Sequence, residues 1–291
     1  MKKILIFALF SAVLMAVKMP TQQSKQQILE NQCAKNDMKA CSELGFLLVN
    51  LDVGYNENVK RANALWQKAC DKNEAKACTF LGVSYINGDG LKQDSKKAAS
   101  LWKKACDKKD GFGCYNLAVL NDNLKLTQNA ANFYQKACEN DYDLGCYSVG
   151  LSYLEGVKKD ENKASEFFNK ACEAGSAAAC NDLALLLEQN KQDFTKASEL
   201  YGKACVQDFA LACNNLANLY YKGQGVKQDY ELAKRLYVRA CDENEAKACV
   251  NLANLYFSWQ KLKSDKEEAK KLYEKACKLE DKEACEKFKE L

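Results

Sequence analysis

The sequence predicts an all-α solenoid built from helix-turn-helix repeats, and three observations carry that prediction. Sixteen cysteines fall into eight pairs of the form C-x7-C: 33/41, 70/78, 106/114, 138/146, 172/180, 205/213, 241/249 and 277/285. The steps between first cysteines are 37, 36, 32, 34, 33, 36 and 36 residues, the period of helical-hairpin repeats. Proline occurs once, at Pro20, so almost nothing interrupts helix in a chain of globular composition, 47% hydrophobic and 28% charged.

The first element is a leader. In MKKILIFALFSAVLMAVKMPTQQ, two lysines precede 14 uncharged, largely apolar residues, Ile4 to Val17. That stretch is too short to span a bilayer comfortably and matches a secretory signal peptide. Residues 1–16 are therefore assigned to the signal, 17–25 to a linker and 26–291 to about seven repeats with terminal half-repeat caps. No cysteine stands near the junction, which argues against a lipid anchor. The mature chain is expected to be secreted or periplasmic, with no stable membrane insertion after cleavage.

The segment before each first cysteine is the second helix of a repeat, called B. Eight positions upstream stands Ala62, Ala98, Ala130, Ala164, Ala197, Ala233 or Ala269. Four upstream is an aromatic, Trp66, Trp102, Tyr134, Phe168, Tyr201, Tyr237 or Tyr273, and in these seven segments alanine directly precedes the cysteine. With Leu or Phe five upstream, these offsets of 0, 3, 4 and 7 make one amphipathic stripe. A lysine lies two before most first cysteines (Lys68, Lys104, Lys136, Lys170, Lys203, Lys275), where it favours the negative end of helix B and is expected to face solvent.

Between the two cysteines the chain must turn. Residues eight apart in one helix lie about 12 Å apart along its axis, whereas a disulfide needs Cα atoms within roughly 7 Å. Each pair therefore closes a turn from one helix B to the next helix A and staples consecutive repeats. Zinc clusters usually bring cysteines two to four residues apart, a spacing found nowhere here. All sixteen, from Cys33–Cys41 to Cys277–Cys285, are read as structural disulfides, in agreement with an exported chain.

After each second cysteine comes helix A. Leu81, Leu117, Leu183, Leu216 and Leu252 are each followed by a small residue, Gly82, Ala118, Ala184, Ala217 or Ala253, that admits a close neighbour. Tyr85, Tyr153, Tyr220 and Tyr256 follow, and Tyr85, Tyr220 and Tyr256 are read as inter-repeat packing. Loops such as NGDGLKQD (87–94) and KGQGVKQD (222–229) end helix A with glycines suited to positive φ, and Asp94, Asp160 and Asp229 are candidate N-caps of the following helix. NDNLKLTQ (121–128) and EQNKQDFT (188–195) lack Gly-x-Gly and predict tighter turns.

The unit A-C-x-x-L-[GA]-x-x-Y-x-x-G-x-G-V-x-x-D, closing on A-x-x-L-[WY]-x-K-A-C, resembles the Sel1-like repeat, and C-x7-C in every repeat resembles the Helicobacter cysteine-rich protein (Hcp) family. The resemblance implies a right-handed α/α superhelical solenoid of tetratricopeptide-like hairpins. Members of that family are commonly named β-lactamases or penicillin-binding proteins, so it also implies, as an alternative function, weak action on β-lactams or cell-wall peptides.

The residues give that chemistry little support. Ser-x-x-Lys occurs at Ser100–Lys103 and Ser258–Lys261, but about two such matches are expected by chance. Neither Ser-Asp-Asn nor Lys-Thr-Gly occurs. Histidine is absent, which removes Ser-His and Cys-His catalysis and every His-containing metal site. No catalytic residue, metal or other cofactor is assigned. The net charge of +4, or +2 without Lys2 and Lys3, gives no reason to expect nucleic acid.

Binding is the reading that remains. Two after the second cysteine stand Asn116, Asn215 and Asn251, with Asp182 at the same place; three further on are Asn218 and Asn254. Spacing of i and i+3 puts Asn215 with Asn218, and Asn251 with Asn254, on one helical face. Their amides offer donors and an acceptor to an extended peptide backbone. The sequence-level expectation is thus a monomeric, secreted or periplasmic protein whose groove takes a protein or peptide, of the host or of the cell envelope.

Overall fold

The computed structural model describes residues 22–51, 54–156, 159–259 and 263–290, and these contain helices and no strand. The signal-peptide assignment, residues 1–16, and the linker up to residue 21 lie outside them. Helix α1 spans Gln22–Ala34, so residues 22–25, assigned to the linker, are helical. The chain divides into two compact units, 1–98 and 99–291.

The first unit holds α1, α2 (Met38–Val49), α3 (Tyr55–Asp71) and α4 (Ala75–Asn87). The division falls inside α5 (Ser95–Asp107). The second unit continues with α6 (Gly111–Asn123), α7 (Thr127–Glu139), α8 (Asp143–Glu155), α9 (Glu161–Glu173) and α10 (Ala177–Leu186). It ends with α11 (Phe194–Val206), α12 (Ala210–Lys222), α13 (Tyr230–Asp242), α14 (Ala246–Trp259), α15 (Lys263–Lys278) and α16 (Lys282–Glu290). Within each unit the even-numbered helices are the A helices. In the first unit α2 packs on α1 and α3, and in the second α12 packs on α11 and α13.

All eight C-x7-C pairs are bridged, with Cα atoms 4.4 Å apart at Cys138–Cys146 and 4.7 Å apart at Cys33–Cys41. The remaining bridges, Cys70–Cys78, Cys106–Cys114, Cys172–Cys180, Cys205–Cys213, Cys241–Cys249 and Cys277–Cys285, complete the scheme expected from the spacing. One turn serves them all. Three residues after each first cysteine the backbone is left-handed, at Asn36, Asn73, Lys109, Asp141, Gly175, Asp208, Asn244 and Glu280. In the second of them, Asn73 N–H donates to the Cys70 carbonyl (2.9 Å) and Glu74 N–H to the Ala69 carbonyl (3.0 Å), closing helix B as a Schellman motif. The next residue starts helix A: Asp37, Asp110, Ser176 and Asp281 each accept an N–H of the new helix on the side chain. Asp94, Asp160 and Asp229 cap the B helices as their sequence positions suggest.

The core is a file of alanines and aromatics. Ala69, Ala105, Ala137, Ala171, Ala204, Ala240 and Ala276, each before a first cysteine, are fully buried. Gly145 shows why the site is small: a Cβ there would lie 2.5 Å from that of Ala137. In the loop 222–229, Gly225 has φ 69°, and a Cβ would stand 2.3 Å from the Phe194 carbonyl carbon, because the loop lies flush on the start of α11.

The two shortened loops differ. Residues 124–126 turn through a left-handed Lys125, as a tight connection should. At the other, α10 runs into a π-helical turn, Leu187–Lys191, ended by left-handed Gln192. That turn presents Glu188 to the Tyr201 hydroxyl, which donates to Oε2 over 2.9 Å. Of the lysines expected to face solvent, Lys68, Lys136, Lys170 and Lys203 are exposed and Lys104 and Lys275 half-buried, and two of the six also reach another helix. Lys68 Nζ donates to the Cys33 carbonyl (3.5 Å) at the end of α1, and Lys275 lies 3.8 Å from Asp242 at the end of α13.

Candidate functional site

The candidate asparagines lie on A helices of the second unit, and the structure joins two of them, Asn215 and Asn251, in one hydrogen-bonded chain. Asn251 of α14 donates Nδ2–H to Asn214 Oδ1 of α12 (2.9 Å), and Asn214 in turn to Asn215 Oδ1 (3.5 Å). Asn215 donates to Asn181 Oδ1 of α10 (3.1 Å), and Asn181 to Asp182 Oδ1 (3.0 Å). Tyr147 of α8 closes the chain by donating its hydroxyl to Asp182 Oδ2 (2.7 Å). Every amide therefore points its donor toward the same carboxylate, an arrangement in which each bond polarises the next.

Asn181 and Asn214 are buried, and the sequence reading did not select them. The signal was the polar doublets Asn181-Asp182 and Asn214-Asn215 directly after a cysteine, where other repeats carry Thr79 or Val250. Their buried amides need partners, and the neighbouring repeat supplies them.

Asn218 and Asn254 are held differently. Tyr237 donates its hydroxyl to Asn218 Oδ1 and Tyr273 to Asn254 Oδ1, each over 2.6 Å. The same oxygens also receive a second donor, Asn251 Nδ2 (3.4 Å) and Lys287 Nζ (3.4 Å) respectively. An ammonium can only donate, so Asn254 must present its oxygen inward and its amino group outward. Neither amino group bonds to another described residue, and neither is a buried orphan. Both are donors open to solvent, on the same register of consecutive A helices.

Asn116, the remaining candidate, stands apart from this chain. Its Nδ2 is buried and has no hydrogen-bond partner among the described residues.

Burial raises the tyrosines around the chain. The Tyr142 hydroxyl is pushed up to about 12 by burial and by the Asp143 carboxylate. Tyr147 is raised by burial and by its bond to Asp182, Tyr201 by burial and the Glu188 charge, and Tyr237 chiefly by burial. An unfolded tyrosine ionises near pH 10. These groups therefore contribute stability that is full below pH about 10 and is lost as pH rises through the folded values. The urea midpoint is expected to hold from neutrality to pH about 10 and to fall steadily toward pH about 12. A flat profile over that range would contradict the burial.

The Ser-x-x-Lys pair on α5 is surface. Ser100 and Lys103 are exposed, and Lys103 Nζ is engaged by Asp107 Oδ1 at 2.6 Å. Ser258–Lys261 extends beyond the described residues. Tyr85, Tyr153 and Tyr256 are half-buried packing residues, each covered by a lysine ammonium, from Lys97, Lys163 and Lys234, within 4.5–5.2 Å. Among the described residues no helix is long and apolar enough to cross a membrane.

Comparison with known proteins agrees with this architecture. The Sel1 repeat matches seven times, at residues 39–74, 75–110, 112–142, 143–176, 177–208, 210–245 and 246–281. Among curated proteins nothing matches significantly. Among solved structures, the protective antigen c5321 of uropathogenic Escherichia coli, which displays an SLR fold, superposes with a TM-score of 0.71 at 22% identity over 86% of this chain. This chain spans 56% of the length of that antigen. A Sel1 repeat protein from Oxalobacter formigenes gives a TM-score of 0.64 at 24% identity, covering 75% of this chain and 94% of its own. Cysteine-rich protein B of Helicobacter pylori is 30% identical over 42% of this chain and 91% of its own, with a TM-score of 0.35. With seven matched repeats, each stapled to the next by a C-x7-C bridge, the chain belongs to the Sel1 repeat family.

Proposed function

We propose that this disulfide-rich Sel1 repeat scaffold is a recognition protein of an oxidising, extracytoplasmic compartment, and that it binds a polypeptide partner along the A-helix face of residues 99–291. One observation carries the reading: Asn218 and Asn254 each have the side-chain oxygen tied by a tyrosine hydroxyl and the amino group left open. Donors fixed in this way, on two consecutive A helices, suit the carbonyl groups of an extended chain, and their order is established before binding rather than during it. The compartment follows from eight bridges, which persist where thiols are not kept reduced.

The face can be tested by photo-cross-linking. A cross-linking amino acid at position 254, exposed on α14, is expected to capture a polypeptide from envelope or host-surface extracts. The same group at Glu199, exposed on α11, should not. Equal capture from both positions would contradict a binding role for the A-helix face.

A further inference from the structure

The first unit carries aromatic rings at the register where the second carries amides. Phe46 stands five after Cys41 and Phe80 two after Cys78, the places held elsewhere by Asn218 and Asn215. Their ring centroids are 5.4 Å apart, and Phe80 lies 5.3 Å from Trp66. Trp66 is buried, donates Nε1–H to the Ser42 carbonyl (3.1 Å), and fits only because Gly45 beneath it has no Cβ. The inner end of this stack is thus fixed, while Phe46 at its outer end is 52% exposed. Phe46 thus carries a buried aromatic stack out to the surface.

A groove of about 630 Å³ lies against the two rings, with Leu47 on its floor. Lys25, Lys39, Lys76, Glu43 and Glu74 surround it, and the three ammonium groups make no ion pair among the described residues. An aromatic floor attracts a bulky apolar side chain. The excess of positive charge at an exposed rim attracts acidic neighbours and repels basic ones.

We propose that this groove anchors an aromatic or large aliphatic side chain of an acidic polypeptide segment. The inference rests on the reading of a polypeptide partner but assigns a second site with its own chemistry, independent of the amide face.

The test uses the full mature, oxidised protein and fluorescent hexapeptides in which phenylalanine and leucine are flanked by two acidic residues on each side. Control peptides replace the two apolar residues by serine, or the acidic residues by lysine. The acidic apolar peptide is expected to bind about tenfold more tightly than either control, with the advantage over the lysine peptide shrinking as salt rises. Phe46→Ser, at a half-exposed position, should lose that tenfold while keeping its far-ultraviolet circular dichroism. Lys76→Glu should lower the preference for acidic flanks. Asn218→Asp with Asn254→Asp should leave peptide binding unchanged. Equal binding by wild type and Phe46→Ser, equal binding of acidic and lysine peptides, or no binding at millimolar peptide would each overturn the anchor. If the peptide is lost in the asparagine variant but kept in Phe46→Ser, the anchor fails while the polypeptide reading stands.

Discussion

Reducing the eight bridges is expected to unfold this chain in buffer where the oxidised protein remains helical. Each bridge closes a ring of nine residues, which restricts the unfolded chain by about 2–3 kcal/mol on the entropic model. Folded proteins of ordinary size are stable by only about 5–15 kcal/mol, so the eight together exceed any plausible margin. The bridges also hold seven non-glycine residues in left-handed conformations that cost free energy when unconstrained. Seven bridges have both sulfurs buried; Cys277 and Cys285 are each partly exposed. Stepwise reduction followed by alkylation and peptide mapping should therefore modify Cys277 and Cys285 first. Full helicity at 222 nm after a count of sixteen free thiols would contradict the stapling role.

Phe168→Ala is expected to be among the most damaging single substitutions, costing about 3–5 kcal/mol. The ring is fully buried in α9, Tyr147 lies 5.6 Å from it, and Gly150 has lost its Cβ to make room: a Cβ there would sit 2.5 Å from the ring. Because α8 presses on the ring and both α8 and α9 are stapled at their ends, the site cannot collapse without moving a stapled helix, and most of the cavity should persist. Urea titration of the variant beside wild type measures the loss. A change under about 1 kcal/mol would mean that the contact is looser than described.

Much of this architecture was legible in the residues because repetition made it so. Alanine eight before, an aromatic four before and alanine one before seven of the eight first cysteines can share a face only in a helix, and nine-residue spacing closed by sulfur can only be a turn. The turn's own conformation was not legible. The left-handed position is filled by asparagine, lysine, aspartate, glycine or glutamate, so no residue type announces it, and the bridge rather than the side chain enforces it. The π-helical turn after α10 was equally hidden, since a missing glycine loop predicts a shorter connection without saying how the helix absorbs it.

The site was half legible. Spacing put Asn215 with Asn218 on one face, but not their opposite fates: Asn215 donates inward to Asn181, whereas Asn218 keeps its donor open. That difference depends on the tyrosine of the following B helix, 19 residues on, and on the preceding repeat, 34 residues back, contacts that helical spacing does not reach. The lysines before the cysteines mostly face solvent as their spacing suggests, but the contacts that two of them make with another helix were hidden for the same reason. Lys68 and Lys275 favour a negative helix end as expected, but the end they reach belongs to the preceding B helix.

The open donors of Asn218 and Asn254 are the centre of the functional reading, and Asn218→Asp with Asn254→Asp isolates them. Aspartate keeps an oxygen for Tyr237, Tyr273, Asn251 and Lys287, so the internal bonds survive, while each outward donor becomes an acceptor. The decisive measurement is the affinity of this variant, by calorimetry, for the polypeptide captured at position 254, beside its thermal midpoint. The account predicts a midpoint within a few degrees of wild type and binding weaker by about two orders of magnitude, since two carbonyl groups would then face carboxylates. Unchanged affinity in a folded variant would contradict it.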